Sequence, residues 1–336
     1  MTQEQTGFLN HDFRTALFQL VEYGTTSAPR GSETKEILNY NITLRSPRNR
    51  VITFPERKTS TKYLLGELCW YLGGDNTIEG ILPYSKFWTN IVNSGEYDGY
   101  PKDTINSNYG NRLFGHAHID AFADREGPFN QWTETISLLR RDKDTRQAIM
   151  NIHVPGDRHF GNKDVPCTLT LQWFIRENKL HLVVNMRSND IIRGFTNDVF
   201  QFTMLQEIML VNLREYYPEL ELGHYYHNAG SMHLYDLHYE MADKIIANPT
   251  AYDLEMIPMD RFDAEIQEAL LGVERVWREH GFPEDAMDAE EPEDFDHDAF
   301  HAHYSKLTPY WQTLVKAMFF KDEEAMHAMF GQEHDE

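Results

Sequence analysis

The chain has 336 residues, 41% of them apolar, enough to fill a substantial core without disulfide staples. Its formal charge of -22 opposes nonspecific attraction to DNA or RNA, whose footprint is built from clustered Lys and Arg, so a nucleic-acid partner is not expected. Cys69 and Cys167 are too few for a secreted disulfide framework, no N-terminal apolar run resembles a signal peptide, and no stretch approaches the ~20 apolar residues of a membrane helix. The expectation is a reduced, cytoplasmic setting with no membrane insertion.

Apolar positions at helical spacing over residues 8–23, and the dense apolar segment Tyr63–Leu72 with its single acid Glu67, predict two helices. Asn39–Leu44, Ala148–Val154, Thr168–Ile175 and Leu180–Met186 favour β-branched and alternating residues and predict strands. Helical spacing returns over Phe200–Leu213 and Leu234–Ile246, then over Phe262–His280 and His301–Phe330 with Met, Phe and Trp faces for packing. Pro283 to Asp298 holds nine carboxylates and no Lys or Arg. It lacks the ligand spacing and glycine turn of a calcium loop, so it reads as a solvated loop and no metal is assigned. The pattern describes an α+β domain over residues 1–251 and a mostly helical, acidic extension over residues 252–336.

Val165-Pro166-Cys167-Thr168 opens a strand-like run in which Pro166 fixes the backbone leading to a cysteine. Alone, such a cysteine reads as a small buried hydrophobe. Further on, Arg187-Ser188-Asn189-Asp190 precedes Gly194 and Asp198. A proline-cysteine strand, an Arg-Ser-x-Asp element, then a glycine and a polar residue before a helix resembles the thymidylate synthase family. Further matches fall in the same order. Arg30-Gly31 is similar to the family's phosphate-binding loop, and the segment Gly66 to Asn76 to its ExxWxLxGDxN helix. Trp88, Tyr109-Gly110 and Arg146 follow, and Gly230 to Tyr235 (GSMHLY) resembles its GxxHxY segment. The likeness runs over residues 8–247.

The resemblance implies an α/β sandwich whose six-stranded sheet packs against a twofold mate in a homodimer. It also implies roles that elementary chemistry supports. Cys167 is the nucleophile toward C6 of a pyrimidine, which requires a thiolate in a cationic or donor-rich setting. Glu67, a carboxyl in an apolar helix, orders water and relays protons at the exocyclic O4 or N4, and burial suits it to proton transfer near neutral pH. Arg30, Arg187 and Ser188 bind the nucleotide phosphate, joined by Arg146 of the second subunit, because guanidinium forks match phosphate oxygens. His233 and Tyr235 hold the sugar hydroxyl. Trp88, Asp190 and Gly194 face the folate, and Tyr109 supports the site.

The sequence departs from the family pattern in informative places. The second subunit's arginine pair reads Arg146-Gln147, Thr168 replaces a histidine after the nucleophile, and Pro-Phe-Asn reads Thr196-Asn197-Asp198. Synthases acting on dUMP have asparagine at the last position, where an amide matches the N3–H donor and O4 acceptor of uracil. Aspartate accepts from cytosine N4–H and shares a proton at N3, as in the family's deoxycytidylate hydroxymethylases. The competing reading makes Asp198 the N-cap of a helix starting near Val199. The acidic ending GQEHDE also differs from the apolar tail that closes over folate, so water capture of the methylene is expected over hydride capture. The resulting expectation is hydroxymethylation of dCMP or CMP with 5,10-methylenetetrahydrofolate. The alternatives are methyl transfer to dUMP or dCMP, and a non-catalytic nucleotide- or RNA-binding regulator.

Overall fold

The computed structural model describes residues 6–92, 103–115, 130–158, 164–248, 252–280 and 295–331. Helix α1 (Leu9–Tyr23) lays Leu9, Phe13, Leu17 and Leu20 into the core, and strands β1 (Thr25–Ser27) and β2 (Thr34–Leu44) flank a short turn at Pro29–Gly31. Helix α2 (Thr61–Gly73) starts where Ser60 Oγ accepts from Tyr63 N–H, and stops at Gly74, whose φ of 64° suits a residue without Cβ. Helices α3 (Tyr109–Phe114) and α4 (Gln131–Arg141) precede strands β3 (Ile149–Asn151), β4 (Thr168–Arg176), β5 (Lys179–Met186) and β6 (Asn189–Asp190). Helix α5 (Gly194–Leu213) is apolar on nearly every face and is correspondingly buried along its length. Strand β7 (Glu221–Tyr235), then α6 (Tyr239–Ala247), α7 (Ala264–Glu279), α8 (His297–Tyr304), α9 (Pro309–Phe319) and α10 (Glu323–Phe330) complete the described chain.

The strands form one mixed sheet in the order β1-β2-β7-β5-β4-β3, with β6 attached to β7 as a seventh strand. The α+β expectation holds, and the continuous path has the six strands expected. Only β7 runs parallel to β5 and β6; the other neighbours are antiparallel. Register decides what meets what. Thr168 pairs with Met186, Met186 with Ala229, and Thr34 with Tyr235. The start of β4, the end of β5, the end of β7 and the start of β2 therefore share one end of the sheet.

Three sequence readings are corrected. Leu234 does not begin a helix: β7 continues to Tyr235 and the helix starts at Tyr239. Inward positions of β7 include Gly223, Tyr225 and His227, too polar or small to register as an alternating apolar face. The acidic stretch lies outside the described residues up to 294, but Asp296 accepts from Ala299 N–H and caps α8, so its end is helical rather than loop. The helical run ending at Phe330 is broken into three by Pro309 at the first turn of α9 and by Asp322 capping α10.

The C-terminal helices share the core. Trp277 stacks on Tyr84 at 5.4 Å and on Phe319 at 4.4 Å, and Gln267 Nε2 donates to Leu72 O. On α5, buried Glu207 accepts from Arg50 Nη2 at 2.5 Å, Arg48 Nε at 2.7 Å and Met259 N at 3.1 Å. Burial opposes its charge, yet the two guanidiniums hold its carboxyl below the usual range. Glu207→Ala strands a fully buried Arg50, and the expected loss is about 3–5 kcal/mol in a denaturant unfolding measurement at pH 7. Because the folded carboxyl is depressed, the wild-type contribution is present above the unfolded pKa and is lost as pH falls through the folded one.

Candidate active site

Cys167 stands at the entry of β4, where the register slips between Thr168 and Thr170. Such a bulge re-aims the chain next to the slip. Arg187, just past β5, braces this entry: its Nε donates to Pro166 O and its Nη2 to Val165 O, both at 2.9 Å, with Nη2 also 3.6 Å from Cys167 Sγ. A guanidinium against a sulfur favours the thiolate over the thiol. Tyr109 lies beneath, its hydroxyl accepting from Thr168 N–H at 3.2 Å, and burial with the charges of Cys167 and Asp198 pushes its phenol well up. Thr168 Oγ1 is buried with no hydrogen-bond partner among the described residues.

Glu67 is 5% exposed on α2. Its Oε1 accepts from Tyr63 O–H at 2.8 Å and its Oε2 from Gln201 Nε2 at 3.1 Å, while Tyr63 Oη accepts from Trp88 Nε1 at 3.2 Å. Burial drives the Glu67 pKa up to about 8; the Tyr63 hydrogen bond opposes this and the Asp198 charge adds to it. The carboxyl is mainly protonated at neutral pH and able to exchange that proton.

Asp198 lies in the second turn of α5, which begins at Gly194, so it does not cap the helix. Burial lifts its pKa to about 7, opposed by the amide of Asn189, which donates Nδ2–H to Oδ2 at 2.7 Å, and assisted by Asp190. Asn189 Oδ1 in turn meets His227 Nε2 at 2.9 Å, and His227 Nδ1 meets Tyr225 Oη at 2.8 Å. Buried under Phe195, with ring centroids 5.0 Å apart, His227 is pushed down to about 3 and is neutral. Gly194 leaves the room this requires, since a Cβ there would stand 2.8 Å from Asn189 Nδ2.

The remaining candidates fall into two groups. His233 and Tyr235, rings 5.2 Å apart on β7, lie at the same sheet end as Cys167 and Arg187, and His233 is registered against Asp190. Asp190 Oδ1 accepts from Ile192 N and Arg193 N, shaping the turn into α5, and Ser188 sits between β5 and β6. The turn bearing Arg30 precedes β2 at this end, and the Arg30 side chain lies outside the described residues. Arg146 is exposed elsewhere. Its carbonyl accepts from Gln172 Nε2, and Gln172 is far enough up β4 to be roughly 17 Å from Cys167 at a strand's rise.

Tyr63, Gln201, Asn189, His227 and Tyr225 were not singled out from the sequence. A signal existed for Tyr63 and Gln201, polar residues within apolar helices, while Asn189, Tyr225 and His227 stand in polar strands and had none. Arg57 was missed too; it donates to Ile192 O and Thr196 Oγ1 and secures the turn ahead of α5. Among the described residues no group of His, Cys, Asp and Glu could hold a metal, and no helix is long and apolar enough to cross a membrane.

The fold resembles thermostable thymidylate synthase A from Bacillus subtilis, with a TM-score of 0.56 at 19% identity, covering 72% of this chain and 84% of that one. The thymidylate synthase sequence profile matches residues 11–268, and the chain belongs to that family. Among curated relatives, the deoxyuridylate hydroxymethyltransferase of Bacillus phage SP01 is 31% identical over 222 residues, 65% of this chain and 55% of that protein. The chain thus spans about half the length of that relative. The deoxycytidylate 5-hydroxymethyltransferase of Enterobacteria phage T4 is also 31% identical, over 191 residues, 54% of this chain and 70% of that protein.

Proposed function

We propose that the protein transfers a hydroxymethyl group to C5 of dCMP or CMP, taking its one-carbon unit from 5,10-methylenetetrahydrofolate and releasing tetrahydrofolate. The observation that carries this reading is Asp198: a carboxyl with a pKa of about 7, inside α5 and not at its cap, within electrostatic reach of Glu67. With its hydroxyl turned to the base's N3, the neutral carboxyl donates to cytosine N3 and accepts from N4–H, whereas against uracil the same orientation sets donor against N3–H and acceptor against O4.

Cys167, its charge balanced by Arg187, adds to C6 and makes C5 nucleophilic. Glu67 holds or gives a proton at the exocyclic nitrogen as charge builds there. The folate supplies the carbon at the oxidation level of formaldehyde. Trp88, its indole N–H fixed on the Tyr63 hydroxyl that also meets Glu67, supports a flat heterocycle beside the pyrimidine. C5 bonds to the folate's carbon and gives up its proton, with tetrahydrofolate as the leaving group; water then adds at the exocyclic carbon, the C5–C6 double bond re-forms, and Cys167 leaves as its thiolate. Incubating the purified protein with methylenetetrahydrofolate and each of dCMP, CMP and dUMP, then weighing the products, tests the reading. A hydroxymethylated cytidylate is expected; methylated uridylate with dihydrofolate formation would overturn it.

The active unit in this proposal is a homodimer, with Arg146 serving the phosphate of the neighbouring site. Its distance from its own Cys167 and the half-exposed Phe174, His181 and Tyr226 on the sheet's outer face support this. Mixing inactive Arg146→Ala with inactive Cys167→Ala subunits is expected to regenerate activity in hybrid sites. No recovery despite proven subunit exchange would count against it.

A further inference from the structure

Asp198 meets Asn189, and Asn189 meets His227, which meets Tyr225. The polarity of this row is not arbitrary. The Tyr225 side chain is fully buried, and His227 Nδ1 is the acceptor its hydroxyl meets among the described residues. With Tyr225 donating to Nδ1, a neutral His227 carries its proton on Nε2, donates to Asn189 Oδ1, and leaves the Asn189 N–H to donate to Asp198 Oδ2. Each group in the row then donates to the next. Reversing the row turns Asn189 over, moves the imidazole proton to Nδ1, and leaves the Tyr225 O–H buried without an acceptor.

We propose that Tyr225, His227 and Asn189 are positioning residues forming a one-way hydrogen-bond relay that fixes which oxygen of Asp198 carries the proton, and thereby set the choice between cytosine and uracil. The proposal rests on the cytidylate reading given above. A neutral carboxyl can present its edge in two tautomers: hydroxyl toward N3 and carbonyl toward N4–H for cytosine, or carbonyl toward N3–H and hydroxyl toward O4 for uracil. A carbonyl oxygen is the better acceptor, so an N–H held against Oδ2 keeps the proton on Oδ1 and leaves one tautomer. Aspartate at 198 alone accommodates both bases; aspartate with a polarised Asn189 behind it discriminates. Gly194 belongs to the same device, because a side chain there would displace the Asn189 amide.

The test is the ratio of dCMP to dUMP preference, read as kcat/KM and as Kd by calorimetry, in wild type, Tyr225→Phe and Asn189→Ala, each also combined with Asp198→Ala. Each single change is expected to move the ratio toward unity by about tenfold, the size of a lost buried hydrogen bond. On the Asp198→Ala background neither is expected to move it further, since no polar side chain remains there to be oriented against the base. A merely structural role would depress both substrates alike and leave the ratio unchanged, which would overturn the relay. If Tyr225→Phe does not fold, Asn189→Ala carries the same comparison. A wild-type preference for dUMP would defeat the cytidylate reading separately, while collapse of that preference in the variants would still support the relay.

Discussion

Cys167→Ala is expected to reduce product formation by a factor on the order of 10⁴ or more while leaving nucleotide binding measurable. The reason lies in the division of labour around the sulfur. Arg187 is tied to Val165 O and Pro166 O by backbone hydrogen bonds that do not depend on the thiol, so the alanine variant keeps its guanidinium in place. His233 and Tyr235, on a different strand, are untouched as well. What disappears is the covalent bond at C6, without which C5 has no electron density to offer the one-carbon donor. Calorimetric titration with nucleotide and a product assay separate the two effects. Near-normal turnover would remove Cys167 from the nucleophile's role.

Asp198→Asn is expected to lower activity on the cytosine nucleotide and raise it on dUMP, changing the ratio of kcat/KM by a factor on the order of 10²–10⁴. Phosphate and sugar partners are common to both substrates, so the change is confined to the base. The pH dependence follows with a definite sign. Reading N3 needs the protonated carboxyl, so wild-type kcat/KM on the cytosine nucleotide falls as pH rises through about 7, and the asparagine variant lacks that limb. An unchanged cytosine-to-uracil ratio in the variant would mean that the base is selected elsewhere.

Much of this was legible in residue order, because the chemistry-bearing positions occur in short runs. Cys167 beside Pro166, Arg187 two strand lengths later, and Glu67 alone in an apolar helix each stand out from their surroundings. The helix under Asp198 was found but started too late: Gly194 and the polar Thr196-Asn197-Asp198 look like a loop, and burial by the surrounding sheet overrides that local preference. Strand β7 escaped because its inward face carries His227 and Tyr225 in place of aliphatic residues. Those same residues form the relay, so what hid the strand is what the site uses. Partners such as Gln201 for Glu67, separated by 134 positions, depend on how α2 and α5 cross and have no local signature.

The helix that carries Glu67 is held from its far side by the end of the chain. Gly66, the residue before Glu67, has no side chain, and a Cβ there would come within 2.6 Å of the Tyr84 ring. Tyr84 lies in a stack with Trp277 and Phe319 and donates to Glu274 Oε1 at 2.7 Å, while Thr61 Oγ1 donates to Met318 O at 3.0 Å. The proton affinity of Glu67 comes chiefly from burial, so it is only as well defined as this packing. Substitutions at Trp277 or Phe319 in the C-terminal helices are consequently expected to shift the proton affinity of Glu67 as well as stability, which a titration of Glu67 in Phe319→Leu against wild type would read.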